Sequence, residues 1–214
     1  MSTAITVAGV LGITSPALTI ALGAPQAARI LRSGAAGVSV ATWIQALVLG
    51  ELWAAYGFLA HVPAEVVTNI PSGVLALAIV VLVARRAGAT AKVLGITLAL
   101  SVAAAAVVVS SALFQVPALL SVVAVVGALG LYVPQLVKIF RHQDFAGISL
   151  LSWAIAFVAT CSWTAYGIVI HKLPVVVPNF VLLPSALAIV LRVAVLRRRG
   201  RAEEAVVMPV DTCA

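Results

Sequence analysis

Apolar residues run along this chain in seven long stretches, at residues 5–28, 40–60, 64–84, 92–113, 117–140, 150–170 and 174–196, and polar residues are largely confined to the connections between them. A hydrocarbon core about 30 Å thick is crossed by a helix of about 20 apolar residues, so each stretch predicts a transmembrane helix. Arg29, Arg32 and Ser33-Gly34 mark the first connection, His61-Val62-Pro63 the second and Arg85-Arg86 the third. Gln115, the segment from Arg141 to Gly147, and His171-Lys172 mark the rest. The segment after Leu196 is short and polar and is expected to be a disordered tail.

Composition agrees with a lipid environment. Of 214 residues 64% are hydrophobic and only 9% charged, with a mean hydropathy of +1.22. A soluble chain carries about a quarter charged residues. The net charge of +7 does not point to nucleic acid, because the cations sit between apolar segments and form no basic face. Placing the first connection in the cytoplasm puts Arg29, Arg32, Arg85, Arg86, Lys92, Lys138, Arg141, Arg192, Arg197, Arg198, Arg199 and Arg201 inside and leaves only Lys172 outside. The positive-inside rule therefore predicts an outer N-terminus and a cytoplasmic C-terminus, in a plasma membrane. The basic run Arg197–Arg201 reads as a stop signal on anionic headgroups. Cys161 lies in an apolar stretch and Cys213 in the tail, an arrangement that argues against a structural disulfide. The first stretch reads as a retained helix, not a signal peptide.

The chain repeats itself. Residues 37–84 match residues 147–194 at 20 of 48 positions when offset by 110. Many matches are Ala, Val, Leu or Ile, which recur in any membrane helix. The others are more telling: Gly37, Ser39 and Trp43 pair with Gly147, Ser149 and Trp153; Trp53, Tyr56 and Gly57 pair with Trp163, Tyr166 and Gly167; His61 pairs with His171 and Asn69 with Asn179. Offset by 109, Pro25-Gln26 pairs with Pro134-Gln135. The expected fold is all-α and transmembrane, with two three-helix copies (1–86 and 116–196), a linker helix (87–115) and a cytoplasmic tail (197–214). Three helices are an odd number, so the linker helix is what makes the two copies parallel, with a site at their interface near the midplane.

The Pro-Gln pair, the G-[VI]-S-x-x-[ST]-W stretch, W-x-x-Y-G and the Asn sixteen residues after that Trp resemble the PQ-loop superfamily, and more closely the SWEET and SemiSWEET sugar transporters. Thr42 and Ser152 stand where plant SWEETs carry further prolines, which is nearer the bacterial two-repeat pattern. The resemblance implies a carrier alternating between outward-open and inward-open states. It implies Trp53, Asn69, Trp163 and Asn179 as substrate contacts, and Pro25 and Pro134 as kink points near a cytoplasmic gate.

The residues support a site on their own terms. Trp53 lies eight residues before His61 and Asn69 eight after it, which puts both about 12 Å below that turn, near the midplane. The same holds for Trp163 and Asn179 around His171. Buried amides in lipid need partners, so each Asn faces protein or a wet cavity. Trp offers an apolar face to a sugar ring and Asn hydrogen bonds to its hydroxyls. The alternative is interhelical glue and packing, and duplication at one depth favours the site. Tyr56 and Tyr166 share the tryptophan face nearer the outside, as outer gate or packing. Pro25 and Pro134 end a helix or hinge it, with Gln26 and Gln135 capping carbonyls or joining the inner gate. Trp43 and Trp153 read as an interfacial belt.

Glu51 falls near the midplane but off the pocket face, opposite Cys161 in the alignment. An intramembrane carboxylate raises the question of a proton site, against a protonated Glu bonded to a neighbouring helix. Glu65 is expected at the outer mouth. His61 and His171 read as solvated turn residues, and no Cys, Asp or Glu cluster completes a metal site with them. No cofactor and no enzyme chemistry is expected, since nucleophile–base sets and phosphate loops are missing. The reading is a facilitative carrier for a small neutral solute, most simply a mono- or disaccharide. An absence of charge around the paired Trp and Asn positions supports it. The alternatives are a proton-coupled exporter of an amino acid or cystine-like solute, with Glu51 or Glu65 titrating, and a non-transporting receptor or scaffold. Homo-oligomerisation is left open.

Overall fold

A computed structural model describes residues 2–33, 40–141 and 150–207. Among them the helices are α1 (Ser2–Ser33), α2 (Val40–Leu59), α3 (Pro63–Arg86), α4 (Thr90–Leu113), α5 (Pro117–Arg141), α6 (Leu150–Val169), α7 (Leu173–Val176) and α8 (Asn179–Val207). The last two form one span, so the architecture is seven membrane helices. Four spans among the described residues meet both the length and hydropathy of a bilayer crossing: Pro63–Arg86, Thr90–Leu113, Leu150–Val169 and Leu173–Leu196.

Packing follows the repeat. In the first copy α3 lies between α1 and α2, and in the second the α7–α8 span lies between α5 and α6. The copies meet where α1 packs on α6 and α2 on α5, two equivalent contacts of a parallel pair. The linker α4 rests on α2, α3 and α5 and is otherwise open to lipid, with Leu98, Val102 and Val109 exposed. In a bilayer such exposed apolar side chains meet a solvent that matches them.

The turns at one end are built alike. Val62 N–H donates to the Gly57 carbonyl at 2.7 Å, and His61 N–H to Phe58 at 3.4 Å; Lys172 and His171 repeat the pattern with Gly167 and Ile168. These are Schellman ends, which need a left-handed residue at the turn. His61 and His171 fill that place with φ of 55°, and Gln115 does so between α4 and α5 with φ of 54°. Glycine is absent from all three turns, so the usual stop signal was missing from the sequence. Gly57 and Gly167 serve the turn differently. A Cβ on Gly57 would lie 2.6 Å from Glu65 Cβ and 2.9 Å from the Val62 carbonyl, so the bare backbone lets α3 fold back tightly.

Several expectations are corrected. α1 continues to Ser33 and α5 to Arg141, so neither Pro25 nor Pro134 ends its helix, and Arg29 and Arg32 lie on α1. The side chains of Pro25, Gln26, Pro134 and Gln135 lie outside the described residues. Residues 197–207 continue α8 where a disordered tail was expected. The seventh span is interrupted at Val177-Pro178 because proline has no N–H to continue the ladder. Thr68 occupies the place of Pro178 in the first copy and α3 runs unbroken. Trp43, half-buried, packs against Ile79 and Val83, and Trp153, also half-buried, against Ile189 and Val193.

Candidate functional site

The two tryptophans expected at mid-depth, Trp53 and Trp163, pack against one cluster built from both copies. Tyr56 and Tyr166 are in it, 2% and 6% exposed, together with Leu52, Leu120, Ala124 and Val175. Each tryptophan meets its tyrosine edge to face, at 5.7 Å for Trp53–Tyr56 and 5.8 Å for Trp163–Tyr166, as three-residue spacing on a helix requires. Tyr166 also presses on α1, where a Cβ on Gly12 would lie 3.3 Å from its ring. Both tyrosines are thus buried in the shared cluster, and neither Trp nor Asn lines either of two open recesses. One recess, about 370 Å³, lies between α2 and α4 at Glu51 and Ser101; the other lies at His171 and Val176.

The asparagines are held by their own helices. Asn69 Nδ2 donates to the Glu65 carbonyl at 2.8 Å and to Glu65 Oε2 at 2.9 Å. Asn179 Nδ2 donates to the Val175 carbonyl at 2.8 Å, beside the break at Pro178. Both acceptors lack protons to give, so the amide orientation follows from chemistry. Asn69 has spent both N–H groups and keeps Oδ1 as acceptor. Among the described residues Asn179 keeps one N–H and its Oδ1.

Glu65 stands at a position different from the one expected. It is 6% exposed, not at an outer mouth, and its carboxylate is bonded to Asn69. The site is thus not free of acidic groups, as the spacing of charges along the chain suggested. Its counterpart in the second copy is Val175, which packs against Gly167 as Glu65 packs against Gly57. Glu51, by contrast, turns toward α4 and accepts a hydrogen bond from Ser101 Oγ at 2.9 Å.

A second set of residues escaped the sequence reading. Trp163 Nε1 donates to Thr19 Oγ1 at 2.9 Å, and Thr19 Oγ1 donates to the Ser15 carbonyl. Ser15 and Ser162 hydroxyls share a hydrogen bond at 2.7 Å. This ladder joins α1 to α6 across the copies. The equivalent α5 positions are Ala124 and Ala128, and among the described residues Trp53 Nε1 has no hydrogen-bond partner. On the α2–α5 side the copies are joined instead by Gln45 Nε2, which donates to the Gly127 carbonyl at 2.8 Å. The small polar residues of α1 carried no signal because Ser and Thr are common in membrane helices.

Parallel three-helix copies around a linker helix, with a Trp–Tyr pair from each copy in one shared cluster, define a multi-pass membrane protein of 3+1+3 architecture. The PQ loop repeat family model matches residues 116–176, within the second copy. A solved eukaryotic SWEET transporter superposes with a TM-score of 0.80 over 92% of this chain and 99% of that one, at 15% identity. The resemblance read from the motifs is borne out: the chain carries a PQ loop repeat and has the SWEET fold. No curated protein matches the sequence.

Proposed function

We propose that this protein is a membrane transporter that carries a small neutral polar solute, a mono- or disaccharide, by facilitated diffusion with alternating access. The observation behind this reading is the convergence of Trp53–Tyr56 and Trp163–Tyr166, one pair from each copy, on a single cluster. Trp53, Asn69, Trp163 and Asn179 are the solute contacts. Tyr56 and Tyr166 form the outer gate. Pro25, Gln26, Pro134 and Gln135 belong to the opposite end, where a proline inside a continuing helix lets that half bend. Residues 1–86 and 116–196 are the moving units and 87–115 the link between them. The histidine turns face outward and α8 ends in the cytoplasm, as the Lys and Arg distribution requires. Glu51 lies outside the pathway, its carboxyl satisfied by α4.

Counterflow of labelled glucose and sucrose in proteoliposomes tests this. Asn69→Ala and Asn179→Ala are each expected to abolish exchange while the protein remains monodisperse; retained exchange in both sinks the site assignment. A wild type that exchanges neither sugar sinks the sugar reading.

A further inference from the structure

Glu65 and Asn69 break the twofold likeness of the site, and their hydrogen bonds say how it is restored. With both its N–H groups given to Glu65, Asn69 has no donor left among the described residues, whereas Asn179 retains one. Glu65 is buried, and among the described residues no Lys, Arg or His lies against it. A buried carboxylate without a counter-ion is costly. Oε2 accepts from Asn69, so Oε1 is the oxygen that can carry a proton while that bond stays intact. Glu65 with a proton on Oε1 then offers a donor, and Asn69 Oδ1 an acceptor, one turn apart. Together they present what Asn179 presents alone.

We propose that protonated Glu65 is a solute contact and that solute binding is linked to that proton. The inference rests on the carrier reading above, because it treats Asn69 as lining the site. Deprotonation removes a donor and introduces a charge, so a neutral solute binds the protonated form. The titratable groups facing Glu65 are Tyr56 on α2 and Tyr166 on α6. α1 and α4, the other helices packed on α3, bring none among the described residues.

Two measurements on the full chain decide it. Infrared difference titration of the purified protein should show a protonated-carboxyl band that is lost in Glu65→Gln, persists in Glu51→Gln, and shifts when glucose or sucrose is added. No Glu65-dependent band, or a band indifferent to both sugars, overturns the proposal. Sugar exchange in proteoliposomes without a proton gradient should fall by up to about tenfold per pH unit once Glu65 titrates. The slope should vanish in Glu65→Gln, which keeps a donor, and in Glu65→Val, which returns the second Asn69 N–H to the site. An equal slope in wild type and both variants also overturns it. If no sugar is exchanged at any pH, the carrier reading for sugars fails, and pH titration of the Glu65 band alone then decides whether that proton exists.

Discussion

Trp163 donates its indole N–H to Thr19 at 2.9 Å, across the boundary between the two copies. Ala128 stands where Thr19 would have its equivalent, so the two tryptophans of the proposed site are anchored unequally. Thr19→Val keeps the volume and removes the acceptor. Leaving a half-buried N–H unpaired costs about 1–3 kcal/mol, and thermal unfolding in detergent should register a Tm lower by roughly 2–12 °C for a chain of this size. Ala128→Thr, the mirror change, should leave Tm unaltered or higher.

Gly57 and Gly167 are paired in sequence but not in tolerance. A Cβ on Gly57 meets backbone, the Val62 carbonyl at 2.9 Å and Val66 N at 3.0 Å, besides Glu65 Cβ. On Gly167 the three nearest atoms all belong to side chains, the nearest being Val176 Cγ2 at 2.7 Å. Backbone yields less than a rotamer, so Gly57→Ala should destabilise at the top of the usual overpacking range of about 1–3 kcal/mol and Gly167→Ala at the bottom. Equal losses in denaturation midpoint would contradict this.

Asn179 has a structural duty that Asn69 lacks, because it caps the Val175 carbonyl beside a break made by Pro178. Asn179→Ala should therefore cost about 1 kcal/mol of stability in addition to flux. Pro178→Thr, which installs the first-copy residue, should recover that stability in the Asn179→Ala background, as read by thermal unfolding.

Glu51 and Ser101 form a bond between α2 and the linker helix, outside the proposed pathway. Glu51→Gln keeps an acceptor for Ser101 Oγ, so sugar exchange and its pH profile should stay within about twofold of wild type. A profile flattened by Glu51→Gln but not by Glu65→Gln would move the proton site to Glu51.

Much of this protein was legible from the chain. Hydropathy placed all seven spans, since lipid leaves a helix no alternative that satisfies its backbone. The offset of 110 identified the two copies and paired Trp53 with Trp163 and Asn69 with Asn179. Helix periodicity also put each tyrosine on its tryptophan's face, and the edge contacts agree. Ends were less legible. The turns at His61 and His171 use a left-handed histidine in place of glycine, and α1 and α8 run on where proline or polarity suggested a stop.

The environment, the number of helices and the duplication were all settled by the order of residues, because each depends on local hydropathy and register. Three-dimensional packing was needed to tell which polar groups are already spent. Asn69 is committed to Glu65, Trp163 to Thr19 and Glu51 to Ser101, while among the described residues Trp53 keeps its N–H. Those pairings join residues by direction and distance across helices or along one helical face, and a spacing rule cannot distinguish an amide that is free from one already bonded.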